Sequence, residues 1–355
     1  MADTPQGLYI DDGRAIATHS MLKTFRRCPK QAQFKYAMRL KPRVLGSPLK
    51  RGTWVHELLE DLHNGIDWRI RHKKLTHKFN QLFDEEREFY GDMPNEIATI
   101  MRSYEWHYKN DPWKVHATEF TVEAPLPDGT IYRGKVDMLI ENQFGFWLVD
   151  HKTHKTLPDL SFRLLDSQSA LYLWACQQMG IPVLGFIWNY VRWKAPSTPQ
   201  LLKDGSRISK SACDTDFPTY ARAIRKYKEE NPNFRVTAEY KATAARLKAQ
   251  RYQPGMPQTS SFFRRDILEK SPEMVERVVQ ENFVTARRMN SYDLSPGAPV
   301  ERVVERSCSF SCSFTDLCSA DLMGANIRPL IRQNYITGDP NDYYQDRAGD
   351  VQAKE

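Results

Sequence analysis

Apolar residues recur at helical spacing through the first third of the chain and at alternating spacing just beyond it. Between Gly52 and Gly65, Trp54, Val55, Leu58, Leu59 and Leu62 fall on one side of a helical period and predict an amphipathic helix. Upstream, Ser20 is placed to cap a turn running to Phe25. Pro29 then restarts the chain as the first residue of a helix to about Leu40, with Cys28 at the joint. The charged, aromatic-rich stretch from Trp68 to Trp113 continues as helix, with breaks at Gly91 and Pro94. Near Val115 the period changes to that of strands. Glu119 to Leu126, Ile131 to Glu141 and Phe146 to Lys152 predict a meander, joined by Pro127-Asp128-Gly129 and by a turn from Asn142 to Gly145. A helix from about Leu164 to Met179, stopped by Gly180 and Pro182, and a buried strand from Val183 to Val191 complete the order βββαβ. This pattern predicts an α/β fold, a mixed central β-sheet flanked by helices, with helical insertions.

Beyond Arg192 the chain turns proline-rich and basic to Gly205, then becomes helical in pieces, including Pro272 to Asn290 behind a Ser271 cap. Five regions follow: a helical one over 1–110 with Cys28 and His56, the α/β core over 111–195, a basic loop and helical insertion over 196–300, a cysteine cluster over 301–325, and a polar, loosely held tail over 326–355.

Composition narrows the class. Of 355 residues, 41% are hydrophobic, enough for a substantial core, yet no apolar run has the length of a membrane span and Met1 to Gly7 lack a signal region. A cytoplasmic protein is expected. In a reducing compartment the 6 cysteines do not read as three disulfides, and any clustered ones are better explained as metal ligands or reactive thiols. The net charge of +7 suits a polyanionic partner, and because the basic residues are dispersed, folding must assemble the binding surface.

The strongest candidate chemistry lies on the second and third strands, with Asp137 in Gly-Lys-Val-Asp and Asp150 in Asp-His-Lys. If Asn142 to Gly145 form a four-residue loop and Glu141 closes against Phe146, Asp137 falls opposite Asp150, their Cβ atoms about 5 Å apart. Any even loop length keeps both on one face. Alternation adds Lys152 to that face and turns His151 away. Facing carboxylates raise each other's pKa unless a cation lies between them, and hard oxygen ligands favour Mg2+ or Mn2+, hence phosphodiester chemistry. Two solvated aspartates, one paired with Lys152, are the plainer alternative. His56 can face the acidic edge or be a core histidine. The run His56 to Glu60 lacks the second histidine of a zinc-protease helix, which excludes that class. Gln168 and Tyr172 share a helix face, where they could hold a nucleic-acid backbone while Tyr172 stacks on a base. Trp188, Tyr190 and Trp193 interleave with Arg192 and Lys194. A core strand ending in a basic loop explains Trp188 more simply than a stacking surface, and Trp193 fits either.

Taken together, His56 in Gly-Thr-Trp-Val-His, Asp137 in Gly-Lys-Val-Asp, Asp150-His151-Lys152-Thr153 and Gln168-Ser169-Ala170-Leu171-Tyr172 resemble, in order and spacing, the RecB-like branch of the PD-(D/E)XK nuclease superfamily. The resemblance implies a restriction-endonuclease-like core and a Mg2+- or Mn2+-dependent DNA exonuclease acting on single strands or DNA ends in recombination, repair or degradation. It implies that His56, Asp137, Asp150 and the His151 carbonyl bind metal, that Lys152 orients the attacking water, and that Gln168 and Tyr172 form the branch's Gln-x-x-x-Tyr motif. Cys28, in Phe-Arg-Arg-Cys-Pro, with Cys308, Cys312 and Cys318 looks like the split four-cysteine iron–sulfur staple of CRISPR-associated RecB-like exonucleases and AddB nuclease domains. The run from Lys194 to Gly205 is similar to phage-encoded members. Independently of the family, four thiolates suit either a 4Fe-4S cluster or Zn2+. Cys176 and Cys213 read as packing residues. A non-catalytic DNA-binding module with a structural metal site, or a CRISPR-adaptation nuclease, are the alternatives.

Overall fold

The computed structural model describes residues 10–11, 13–159, 163–209 and 211–339. Its strands are β1 (Ile10–Asp11), β2 (Arg14–Ala17), β3 (Leu40–Pro42), β4 (Lys114–Pro125), β5 (Ile131–Asn142), β6 (Gly145–His154), β7 (Val183–Arg192), β8 (Phe263–Leu268) and β9 (Tyr335–Thr337). Seven of them form one mixed sheet in the order β1-β2-β5-β6-β7-β8, with β4 also paired to β5. The pairs β2–β5 and β6–β7 are parallel and the other pairs antiparallel. Because β4 lines β5 along its length, β2 and β6 must share the opposite edge of β5. There β2 pairs at Ile131 and Tyr132, and β6 pairs from Met138 onward. Asp137 therefore stands at the fork where β6 leaves β5.

The expected register holds, since Glu141 faces Phe146 and Met138 faces Val149. The loop is tighter than expected, because Asn142 and Gly145 also pair and leave only Gln143 and Phe144 to turn the chain. Its length remains even, so Asp137 and Asp150 keep their common face.

Helices cover both faces. His19–Arg27, Ser167–Gln178 and Pro272–Asn290 pack on one, where Leu22, Leu171 and Val279 meet Leu148, Phe186 and Trp188. Ser47–His63, Trp68–Asn80 and Met93–His107 pack on the other through Leu58, Trp68, Met101 and Tyr104, with Val191 and Phe263 from the sheet. Each fully buried side chain of this size contributes about 1.5–3 kcal/mol, which makes the Ser47–His63 helix a rigid carrier for His56.

Several elements differ from the pattern-based reading. The first helix begins two residues early, because the Thr18 hydroxyl accepts from the Met21 N–H, while Ser20 lies inside the first turn. The Pro29 helix passes through a π-turn over Gln33–Ala37 and ends at Met38. Strand β2 precedes the first element that the pattern predicts. Strand β8 returns from the expected helical insertion to the central sheet, its alternation hidden by Arg265 pointing inward. The tail is also corrected. Residues Arg328–Asn334 are helical and β9 pairs with β3, because Tyr335 is buried and stacks on Phe314 at 5.4 Å. The rest of the tail, 340–355, lies outside the described residues.

Candidate active site

Four elements bring the expected residues together: β5 carries Asp137, β6 carries Asp150 and Lys152, and the helices Ser47–His63 and Ser167–Gln178 approach from opposite faces. At the fork, the His151 backbone N–H donates to Asp137 Oδ2 at 2.6 Å, and His56 Nδ1 lies 3.4 Å from the same oxygen. Burial opposes ionisation of Asp137, but His56, His151 and Lys152 outweigh it and hold the carboxyl well below its usual range. Desolvation opposes a charge on the half-buried His56, and the Asp137 carboxylate outweighs it and raises the imidazole pKa. The core-histidine alternative thus gives way to a histidine bound to a carboxylate.

Asp150 sits in the opposite electrostatic state. Burial, with Asp137 adding to it, pushes its pKa up to about 6 although Lys152 pulls the other way. Lys152 Nζ lies 2.6 Å from Asp150 Oδ2 and donates to Gln168 Oε1 at 3.1 Å, while Gln168 Nε2 donates to Asp150 Oδ1 at 2.9 Å. Gln168 thus locks the acid and the ammonium into one geometry. Its amide also donates to the Tyr172 hydroxyl at 3.1 Å, and that hydroxyl donates to the Lys135 carbonyl at 2.8 Å.

This last bond explains two motifs at once. A Cβ placed on Gly134 would lie 2.5 Å from the Tyr172 ring, so glycine in Gly-Lys-Val-Asp is what lets the tyrosine reach β5 beside the fork. Tyr172 is buried and offers no face to a base, which corrects its expected stacking role. Trp188 and Tyr190 are core residues as well, and Trp193 lies against the Arg51 guanidinium. The His151 ring points away from Lys152, as alternation requires. It is buried beside Asn189, and that burial lowers its pKa to about 3.

Sequence reasoning missed Glu119. On β4 it faces Asp137, between the pairs Thr118–Met138 and Phe120–Val136, with φ +51 in the left-handed region. One donor atom each from His56, Glu119 and Asp137 lie within 4.8 Å of one another, and Lys135 Nζ is 3.2 Å from the Glu119 carboxylate. Burial and then the Asp137 charge raise the Glu119 pKa. Counting back from the Pro127-Asp128-Gly129 turn would have found it. Two buried carboxyls, the half-buried Glu119 and an imidazole, with Lys135 and Lys152 as neighbouring ammonium groups, fit a divalent cation.

Some distance along the chain, Cys28, Cys308, Cys312 and Cys318 line one cavity of about 260 Å3. Burial raises the Cys312 thiol, with Cys308 and Cys28 contributing, so these sulfurs sense one another. Around the cavity, Arg27 donates to Ser307 and Ser311 at 3.0 and 2.7 Å, and Lys30 pairs with Asp321 at 2.8 Å. Among the described residues the one group of His, Cys, Asp or Glu side chains close enough to share a single ion is His56, Glu119 and Asp137, so the cavity brings the four cysteines together without bringing three of their sulfurs to single-ion spacing. Cys176 is a core residue whose thiol burial pushes up to about 12. Cys213 is exposed and donates to the Ser197 carbonyl, so it is not the packing residue expected.

The family model described as "PD-(D/E)XK nuclease superfamily" matches residues 17–319, which encloses His56, Asp137, Asp150, Lys152 and the four cavity cysteines. The chain belongs to the PD-(D/E)XK nuclease superfamily. Membership makes metal-dependent nuclease activity the class of reaction and DNA the class of substrate, in keeping with the fork and its carboxylates. A solved structure titled "Crystal structure of SSO0001" shares 16% identity, covering 45% of this chain and 70% of that one, with a TM-score of 0.19, too low to bear on the site. Among curated proteins nothing matches the chain. Among the described residues no helix of this nuclease is long and apolar enough to cross a membrane.

Proposed function

We propose that this protein is a Mg2+- or Mn2+-dependent DNA exonuclease of the RecB-like branch, acting on single strands or DNA ends in recombination, repair or degradation. The convergence of His56, Asp137, Asp150 and Lys152 at the sheet fork carries this reading, and the Lys194 to Gly205 run favours a phage-type member. The metal ligands are His56, Asp137, Asp150 and the carbonyl of His151, with Glu119 within reach. Bound metal supplies neutralisation of the phosphate charge and acidifies the attacking water. Asp137, ionised and held by the His151 N–H, keeps one ligand oxygen in fixed orientation. Lys152, pinned by Asp150 and Gln168, directs its remaining hydrogen towards the attacking water and stabilises negative charge at the phosphate. Gln168 and Tyr172 position these groups and do not touch DNA bases.

The second part of the proposal is that Cys28, Cys308, Cys312 and Cys318 hold a 4Fe-4S cluster, supported by their common cavity. Zn2+ is the competing occupant. End-labelled single- and double-stranded DNA, incubated with Mg2+, Mn2+ or EDTA, tests the nuclease reading. Mononucleotides or short fragments released stepwise from ends, and abolished by EDTA, are expected. Binding without cleavage in either metal would identify a non-catalytic module instead.

A further inference from the structure

On the sheet face away from Lys152, three adjacent strands place His151, Asn189 and Arg265 in one row, each paired with the next. All three are buried, as is Tyr104, which closes over them. The hydrogen-bonding directions in this row follow from one residue. Arg265 can only donate. It is clamped by Asp111 at 2.6 Å and lies 3.5 and 3.6 Å from the ring centres of Trp113 and Tyr108. Its Nε donates to Asn189 Oδ1 at 3.4 Å and its Nη2 to the Tyr104 hydroxyl at 3.5 Å. With Oδ1 taken, the Asn189 amide must turn its hydrogens the other way, to Tyr104 at 2.9 Å and to His151 Nδ1 at 2.7 Å. His151 Nδ1 is then an acceptor, and its proton sits on Nε2. Tyr104, accepting twice, directs its own hydrogen to His63 Nε2 at 3.3 Å, and the His63 ring stacks on His151 at 5.5 Å.

We infer that Asn189, oriented by Arg265 from the insertion, is a positioning residue for the catalytic centre, fixing His151 as the neutral Nε2–H tautomer. The backbone N–H of His151 binds Asp137 Oδ2, so anchoring the ring fixes the peptide that aims the metal ligand. An imidazolium at His151 would instead set a positive charge beside the divalent cation. The functional consequence rests on the proposed nuclease activity; the tautomer does not.

Ring-nitrogen NMR of full-length protein labelled at histidine tests this, with the His151 signals assigned by their loss in His151→Gln. Wild-type protein should show an unprotonated Nδ1 and a protonated Nε2. In Asn189→Asp the side chain has no hydrogen to give, so Nδ1 must become protonated. For the same variant, kcat on end-labelled DNA should fall about tenfold or more, with KM for DNA changed about twofold at most. Loss of thermal stability alone, with tautomer and kcat kept, would overturn the proposal, as would a protonated Nδ1 in the wild type. If Asn189→Asp does not fold, the wild-type spectrum decides by itself. An Nε2–H tautomer in a wild type that cleaves no DNA would support the inference and refute the nuclease reading.

Discussion

Burial holds the Asp150 carboxyl at a pKa of about 6, above its ordinary 3.8, so its ionised form works against the fold. Below pH 4 both folded and unfolded chains keep the proton and the effect vanishes. As pH rises from 4 to 6 the unfolded chain releases it first, and stability falls by about 3 kcal/mol at most. Asp150→Asn should therefore raise the thermal midpoint of metal-free protein at pH 8, raise it little at pH 4, and abolish cleavage. Added Mg2+ should stabilise the wild type and not this variant. A midpoint at pH 8 no higher than that of the wild type would show that Asp150 carries no such strain. Its neighbours act differently. Lys152→Ala should lower kcat about a hundredfold to a thousandfold while metal still raises the midpoint. His56→Ala should weaken the response to metal, with partial rescue by excess Mn2+. A collapse of the midpoint without rescue would return His56 to a structural role.

Among the elements, the fork and the Ser167–Gln178 helix form a single device. Tyr172 reaches β5 only because residue 134 lacks a Cβ, and Gln168 one turn away carries that position to Asp150 and Lys152. Gly134→Ala should cost about 1–3 kcal/mol by overpacking and lower kcat by displacing Tyr172. Tyr172→Ala leaves the buried Lys135 carbonyl without its donor, a comparable loss. The double variant should be hardly worse than Tyr172→Ala alone, since the clash goes with the ring. Additive losses in midpoint and kcat would separate the two residues. The parts of this device legible in the sequence were those fixed by local period: the register that faces Asp137 with Asp150, the alternation that turns His151 away, the shared helix face of Gln168 and Tyr172. What stayed hidden depends on contacts between distant segments. Arg265 breaks the apolar alternation of β8 because Asp111 and two aromatic rings receive it, and β3 and β9 are too short to show a period at all; Glu119, by contrast, was open to the same register count from the Pro127-Asp128-Gly129 turn. The buried position of Tyr172 was hidden for the same reason, since spacing places it on a face without saying what covers that face.

In the whole molecule, an early and a late segment of the chain meet at the cysteine cavity, where Cys28 begins one short helix and the other three sulfurs come from 308–318. A metal group held there would close a long loop and remove much of the unfolded chain's freedom, so its binding energy would also be folding energy. Such a tie would not be alone. Lys30–Asp321, Arg27 to Ser307 and Ser311, and the β3–β9 pair span the same junction, so its loss should loosen the ends rather than unfold the core. Protein purified without oxygen should then be brown, with about four irons per chain. Serine at Cys28, Cys308, Cys312 or Cys318 should release the iron, lower the thermal midpoint by about 5–10 °C and reduce activity, although none of these residues reaches the fork. Cys176→Ser places a hydroxyl in the core and should lower the midpoint with the iron retained; Cys213→Ser, at an exposed thiol, should change neither. Stoichiometric zinc in colourless protein would change the identity of the staple. No metal after anaerobic reconstitution would leave the polar ties, the β3–β9 pair and the apolar cluster of Phe34, Leu40, Phe314, Leu317 and Tyr335 to hold the two segments together, and the four serine variants should then differ little from wild type in stability.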